Sequence, residues 1–188
     1  MPSVPTHIVV GFALAQGAPP RVGVPWRFWT TAMACSALPD VDVVGFRFGI
    51  HYGDLWGHRG MTHSLLFALL VGITVGCLMG GGWAEKMRHS TLLFIITASH
   101  GILDAMTNGG LGVAFLSPFD THRYFLPWRP IQVSPIAAGR FVSARGMDIL
   151  LNEIAFVWFP ALIVGTLLFA IRKWQRGSRY VISGKHGD

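Results

Sequence analysis

Apolar residues are gathered into five runs that polar stretches separate. The runs cover about residues 7–18, 28–46, 64–82, 91–107 and 154–171. An α-helix rises 1.5 Å per residue, so about 20 apolar residues are needed to cross the hydrocarbon layer of a bilayer. The last three runs, and the second run despite its interruption by Pro39, approach that length, whereas the first is too short. The pattern predicts an all-α, polytopic membrane bundle with about four to five apolar helices.

The composition supports a membrane protein. Hydrophobic residues make up 52% of the 188 positions and charged residues 13%, against about 25% charged residues in soluble domains. The net charge of +6 would suit nucleic acid, but the 15 Lys and Arg residues are spread along the chain and form no basic patch. We therefore expect one integral-membrane domain over 1–188, with the lipid bilayer as its partner and no nucleic acid.

The basic residues predict an orientation. If the runs alternate in direction, one side receives 19–27, 83–90 and the tail 172–188, with nine Lys and Arg in about 34 residues. The other side receives 1–6, 47–63 and 108–153, with six in about 69 residues. The positive-inside rule places the first side in the cytoplasm. We expect a multi-pass protein of the bacterial inner membrane with a basic cytoplasmic tail at 172–188.

Two segments have features of their own. Gly72, Gly76 and Gly80 recur every fourth residue in the third run, a spacing typical of closely packed membrane helices. The stretch 108–152 is rich in Gly, Pro and aromatic residues and lacks a sustained period. A connection of this length usually has a function, so we expect an extracytoplasmic lid or substrate platform.

Ionisable groups stand at the ends of the runs that face the extracytoplasmic side. This set comprises His7, Asp40, Asp42, His58, His63, His100, Asp104 and Glu153. Charged groups so close to a bilayer are costly unless they pair, bind an ion or line a wet cavity. The pattern predicts that they form one polar cluster at one membrane face.

The donor types suit a divalent metal. His100 and Asp104 are four residues apart and share one face of a predicted helix, and imidazole with carboxylate suits zinc, manganese or iron. We predict one to three ions, zinc first and manganese as the alternative. The predicted ligands are His7, Asp40, His58, His63, His100 and Asp104. Each feature alone has a simpler explanation, such as a helix cap or an ordinary side-chain pair, and His51, His89 and His186 are not expected to be ligands.

A cysteine-free His/Asp centre is typical of hydrolytic chemistry, in which the ion activates water and polarises a phosphoryl or carbonyl oxygen. Asp42 or Glu153 would act as general base. Arg59 would bind a phosphate or stabilise negative charge in the transition state, although it could instead only neutralise a carboxylate. Thr62 and Ser64 are interpreted as helix-start residues.

The motifs TH, LPDVD, GHRGMTHS and SHGILDAMT, in this order, resemble those of the YdjM-like family of bacterial inner-membrane proteins, over about residues 5–155. That resemblance implies a membrane-bound, metal-dependent hydrolase. More distantly, the pattern resembles all-helical zinc phospholipase C and single-strand nucleases. The family's polar positions match His7, Asp40, Asp42, His58, His63, His100 and Asp104, and Val43 stands where many members have a polar residue.

The sequence thus predicts a membrane-bound metal-dependent hydrolase that uses metal-activated water on a phosphoester or related bond of a lipid or envelope component. Two alternatives stay open. A metal or proton transporter would carry charges through the bundle, but the middles of the third and fifth runs carry none. A structural membrane protein would use the cluster only to hold its helices together.

Overall fold

A computed structural model of the chain describes residues 1–18, 25–134 and 143–183, with only the backbone for residues 25 and 176–183. Several basic residues used for the predicted orientation, Arg21, Arg140 and Lys185, lie outside the described residues, as does His186. Within the described ranges the protein is built from helices and contains no strand. The all-α prediction is confirmed.

The helices follow the order of the apolar runs. They are α1 (Val4–Ala15), α2 (Pro25–Ala37), α3 (Leu65–Leu78), α4 (Trp83–Ala105), α5 (Ala144–Glu153) and α6 (Phe159–Ser183). A π-helical turn, Ile154–Trp158, joins α5 to α6. The last two helices are therefore one continuous helix, and the described residues form five such helices besides two 3₁₀-helices.

Pro39 interrupts the second run, as predicted. α2 ends at Ala37 and the chain continues as a 3₁₀-helix over Leu38–Phe48. Proline has no N–H to donate within an α-helix and clashes with the preceding turn, so the α-helix cannot pass through this position. Gly49 closes the 3₁₀-helix in the left-handed conformation, with φ 81°. Asp40 and Asp42 therefore lie in the 3₁₀-helix that follows α2.

The fifth helix begins ten residues before the predicted run. The Ser143 side chain accepts a hydrogen bond from the Gly146 N–H (3.2 Å) and caps α5, so the last part of the predicted connection 108–152 is helical. Residues 135–142 of that connection lie outside the described residues. The π-helical turn ends two residues before Pro160, which cannot donate to the carbonyl four residues earlier.

Only one helix of the described chain is long and apolar enough to cross a membrane, namely the continuous helix over Ala144–Gln175. Just 11% of its most apolar window is buried inside the protein, so most of that surface faces outward. Helices α1 and α3 are apolar, but at 12 and 14 residues they are shorter than a full crossing requires. The larger number of crossings stays a prediction.

The helices pack around an apolar core that includes Phe28 of α2 and Leu93 and Ile96 of α4. α3 lies against α4 at Gly72 and Gly76, where an added Cβ would lie 2.7 Å and 2.4 Å from α4 backbone atoms. The predicted close packing is confirmed for these two glycines. Gly80 follows the end of α3 with φ 79° and an added Cβ there would meet nothing within 4 Å, so it does not belong to the interface.

Candidate metal centre

The polar ends of the elements meet on one side of the apolar core. α1 contributes His7, the 3₁₀-helix Asp40, the loop before α3 His58 and His63, and the end of α4 His100 and Asp104. None of these residues is more than 5% exposed. Their donor atoms form two groups, each with all atoms within 4.8 Å of one another: Asp40, His58, His63 and Asp104, and His7, His100 and Asp104. The six predicted ligands thus converge, and Asp104 belongs to both groups.

Three histidines are fixed through their Nδ1 atoms. Nδ1 of His58 lies 2.8 Å from Oδ1 of Asp42, and Nδ1 of His63 lies 3.2 Å from Oδ2 of the same carboxylate. Nδ1 of His100 donates to the Ser36 carbonyl over 2.8 Å. Such partners hold the proton on Nδ1 and leave a lone pair on Nε2, which is how proteins prepare histidine for a metal.

The Nε2 atoms point toward one another and toward carboxylates. Nε2 of His63 lies 3.1 Å from Nε2 of His100 and 3.4 Å from Oδ2 of Asp104, while Nε2 of His100 lies 3.3 Å from Oδ1 of Asp40. Buried atoms that lack a hydrogen bond of good geometry within the described part of the chain include Nε2 of His58 and both oxygens of Asp40 and Asp104. Leaving buried polar atoms unsatisfied costs about 1–3 kcal/mol each. A bound cation would satisfy them, so the residues present fit a metal.

The charges of the site also favour a cation. The cluster contains three buried carboxylates, Asp40, Asp42 and Asp104. Asp104 pairs with the Arg59 guanidinium, and Asp40 and Asp42 lie beside His63. Burial alone would raise the pKa of Asp42, but hydrogen bonds from His58 and His63 lower it to about 2. Burial alone would lower the pKa of His63, but hydrogen bonds to Asp104, Asp40 and Asp42 raise it to about 10. Both directions follow from the close pairing of buried carboxylates with imidazoles.

Arg59 is completely buried and has a strained backbone, with φ 64°. Its Nε lies 3.0 Å from Oδ2 of Asp104, and its other two nitrogens donate to Thr107 Oγ1 and the Gly109 carbonyl, each over 3.0 Å. A left-handed conformation costs a non-glycine residue about 1–2 kcal/mol, and strain of this kind concentrates at functional sites. These contacts hold the guanidinium against the carboxylate that both donor groups share.

The aromatic part of the connection after α4, residues 113–128, is hydrogen-bonded to the loop that carries His58. Arg123 donates to the carbonyls of His58, Tyr52 and Asp54 over 2.9–3.2 Å. The Ala114 N–H donates to the Arg59 carbonyl over 3.0 Å, and the Leu65 N–H donates to the Phe115 carbonyl over 2.9 Å. The described part of the predicted connection therefore packs against the centre.

Glu153 belongs to neither of the two donor groups. Its carboxylate accepts hydrogen bonds from the Ser3 N–H (2.6 Å), the Ser3 hydroxyl and the Thr6 hydroxyl (2.6 Å). Trp158 of the π-helical turn donates to the same Thr6 hydroxyl over 2.7 Å. Glu153 thus joins α5 to the start of α1 through Ser3 and Thr6, and Thr6 directly precedes His7. The role of Glu153 as general base stays a prediction.

Sequence reasoning missed several polar residues that orient the site. Ser64 does cap α3, accepting from the Phe67 N–H over 3.1 Å. Thr62 instead donates to Oδ2 of Asp42 over 2.7 Å, and Thr107 and Ser36 fix Arg59 and His100. Only the position of Thr62 directly before His63 could have drawn attention to it, because the others act across long sequence separations.

Of the histidines that were not expected to be ligands, His51 and His89 lie outside the two donor groups, and His186 lies outside the described residues. The His51 side chain is 88% exposed and lies beside Asp54. His89 is buried near the start of α4 and packs against Phe28, at a ring distance of 5.4 Å. Neither belongs to the two donor groups.

Fold and site together define a helical membrane protein with a buried His/Asp cluster that could hold a metal ion. Comparison with known proteins gives the particular family: the chain belongs to the YdjM inner membrane protein family, whose model matches residues 1–177. It is 37% identical to the inner membrane protein YbcI of Escherichia coli over 178 residues, which cover 94% of this chain and 99% of that protein.

A second relative is the uncharacterized protein YvsG of Bacillus subtilis, 32% identical over 120 residues, which cover 60% of this chain and 72% of that protein. No solved structure matches the chain. The family and the relative from Escherichia coli both have names that place them in the inner membrane, which supports the expected membrane localisation.

Proposed function

We propose that this protein is a membrane-bound, metal-dependent hydrolase whose reaction centre is the His/Asp cluster. The observation that carries the proposal is the convergence of buried donor atoms from Asp40, His58, His63 and Asp104. Their imidazole and carboxylate donors, without cysteine, suit zinc or manganese. A divalent ion held there would lower the pKa of a water molecule toward about 7 and polarise a phosphoryl or carbonyl oxygen.

The residues around that ion would orient its histidine ligands and balance negative charge. Asp42 has both oxygens engaged, by His58 on one side and by Thr62 and the Arg59 N–H on the other. We assign it the role of a positioning residue, because these contacts leave it poorly placed to accept a substrate proton. Arg59 carries its charge next to Asp104, where it would favour an anionic substrate oxygen.

We further propose that the bundle is polytopic, with this centre on the extracytoplasmic side, and that it acts on a phosphoester or related bond of a lipid or envelope component. Large aromatic side chains are exposed in the segments that surround the centre, among them Phe48, Trp56, Phe119 and Trp128. Aromatic residues of this kind accumulate at the membrane–water interface, where lipid headgroups would approach the site.

The described structure favours hydrolysis over transport. On the far side of the cluster the bundle contains the fully buried apolar side chains of Phe28, Leu93 and Ile96, and the buried polar residues described there, such as His89 and Thr97, include no carboxylate. A transport route for ions would need charged groups along its length. The polar donors instead stop at one end of the bundle, as expected for a reaction centre.

Elemental analysis of detergent-purified protein tests the proposal. We expect wild type, reconstituted with zinc or manganese, to retain about one to three equivalents. His100→Ala/Asp104→Ala should lose most of this metal, and His89→Ala, a buried histidine of the same helix outside the donor groups, should keep it. The metal-loaded protein should hydrolyse phosphodiester or phospholipid substrates, and the double variant should not.

Wild type that holds no stoichiometric metal after reconstitution would overturn the proposal. Stoichiometric metal without hydrolysis of any phosphoester, carboxylic ester or amide substrate would leave a metal protein but refute the hydrolase.

A further inference from the structure

We propose that the centre holds two divalent transition-metal ions and that Asp104 bridges them. The first position is formed by Asp40, His58, His63 and Asp104, and the second by His7, His100 and Asp104. The inference rests on the proposed metal centre and adds a second ion, and with it a substrate class.

The two oxygens of Asp104 face different histidines. Oδ1 lies 3.7 Å from Nε2 of His7, and Oδ2 lies 3.4 Å from Nε2 of His63 and 3.0 Å from Nε of Arg59. Both oxygens are buried and lack a hydrogen bond of good geometry within the described part of the protein. A carboxylate with one oxygen directed at each donor group has the arrangement of a bridging ligand.

A single ion in the first position would leave the buried imidazole of His7 without a partner. It is completely buried on α1, and neither of its ring nitrogens has a hydrogen-bond partner among the described residues. A buried polar side chain without a partner is costly, and most are satisfied in folded proteins. An ion between His7, His100 and Asp104 would supply the partner that Nε2 of His7 lacks.

Ser36 holds the two histidines of this second position in register. Its hydroxyl donates to the His7 carbonyl over 2.6 Å, and its carbonyl accepts from Nδ1 of His100 over 2.8 Å. The two imidazole rings stack at a centroid distance of 3.6 Å and an angle of 14°. Ser36 of α2 therefore positions one ligand from α1 and one from α4. The packing of these three helices fixes the stacked His7 and His100 rings.

The number of donors distinguishes the two positions. The first has four protein donors and the second three, and a three-donor zinc site leaves a coordination position for water or substrate. The four positive charges of two divalent ions would outweigh the three carboxylates of Asp40, Asp42 and Asp104, and the Arg59 guanidinium would add to that excess. An excess of positive charge suits an anionic substrate, so the inference favours a phosphoester over a carboxylic ester or amide.

Metal counting on matched variants tests the inference independently of activity. We expect about two equivalents of manganese or zinc in wild type and in the control His89→Gln. His7→Gln and His58→Gln, each lacking a donor from one group only, should each hold about one. Manganese-loaded wild type should also show the exchange-coupled electron paramagnetic resonance spectrum of a carboxylate-bridged pair, a readout that requires no variant.

Each failure has its own pattern. One equivalent in wild type, unchanged in His7→Gln, overturns the second ion and leaves the proposed function standing, whereas no metal in any protein overturns both. Two equivalents of manganese with the spectrum of isolated ions overturn the bridging role of Asp104.

Discussion

The Asp42 carboxylate lies between two imidazoles and touches both through their Nδ1 atoms. From the sequence it is a candidate general base, because it is an acidic residue of the cluster that is not among the predicted metal ligands. In the structure its oxygens are occupied by His58, His63, Thr62 and the Arg59 N–H. The same residue type can bind, orient or transfer protons, and only its hydrogen-bond partners distinguish these roles.

Asp42→Asn tests the orienting role. An amide accepts through its oxygen only, so either His58 or His63 loses the acceptor that directs its Nε2 toward the centre. Loss of such an orienting partner weakens metal binding by about 10- to 100-fold, which competition with a chromophoric chelator would measure. Asp54→Asn, at a half-exposed carboxylate beside His51, is the control. If Asp42→Asn keeps full affinity and loses only turnover, Asp42 is the general base after all.

At the scale of elements, the position of α4 decides whether the centre forms. α4 carries His100 and Asp104 at one end, and it packs closely against α3, which follows the loop of His63. The closeness depends on Gly76, where an added Cβ would lie 2.4 Å from the Ser90 nitrogen. Because that nitrogen is backbone, no side-chain rotation could relieve the clash and the helices would have to separate.

Gly76→Ala should therefore lower stability by about 1–3 kcal/mol, the usual cost of overpacking. For a chain of this size that corresponds to a melting temperature roughly 2–12 °C lower in detergent. We expect metal affinity to fall as well, since a displaced α4 would separate His100 from His63. Gly53→Ala, where an added Cβ meets nothing within 4 Å, should have little effect. An unchanged melting temperature for Gly76→Ala would show that the interface adjusts freely.

At the scale of the whole molecule, the centre lies at one end of the bundle and several exposed tryptophans mark the other. Trp83 begins α4 and Trp174 lies near the end of α6, and they are 78% and 73% exposed. Trp26, 59% exposed, lies at the start of α2. Each stands at the helix end away from the centre, and tryptophan accumulates where helix ends meet a membrane–water interface. The cytoplasmic location of this end stays a prediction.

Reporter fusions and labelling in intact cells test this orientation. A C-terminal green fluorescent protein should fluoresce, and a C-terminal alkaline phosphatase should be inactive, because the positive-inside rule retains the basic tail in the cytoplasm. In a Cys77→Ala background, Phe119→Cys, at a position 86% exposed in the stretch beside the centre, should react with a membrane-impermeant thiol reagent from outside. Reaction only after the inner membrane is permeabilised would place the centre in the cytoplasm.

The sequence alone predicted much of this protein. Five apolar runs separated by polar stretches indicated a helical membrane protein, and Pro39 marked the break after α2. The same pattern, with the helices alternating in direction, predicted that His7, Asp40, His58, His63, His100 and Asp104 would lie at one end, and the structure brings them together. These results depend on local chemistry and chain direction, which a linear pattern of apolar and polar residues carries.

Only the tertiary structure decided how the polar residues divide their roles. Asp104 lies between two donor groups, Asp42 orients two histidines, and Glu153 ties α5 to the first turn of α1. It also extended the last helix back to Ala144, and within the described residues that is the one helix both long and apolar enough to span a membrane. Contacts between residues 3 and 153, or 36 and 100, join distant parts of the chain, and helix periodicity carries no information about which distant groups will meet.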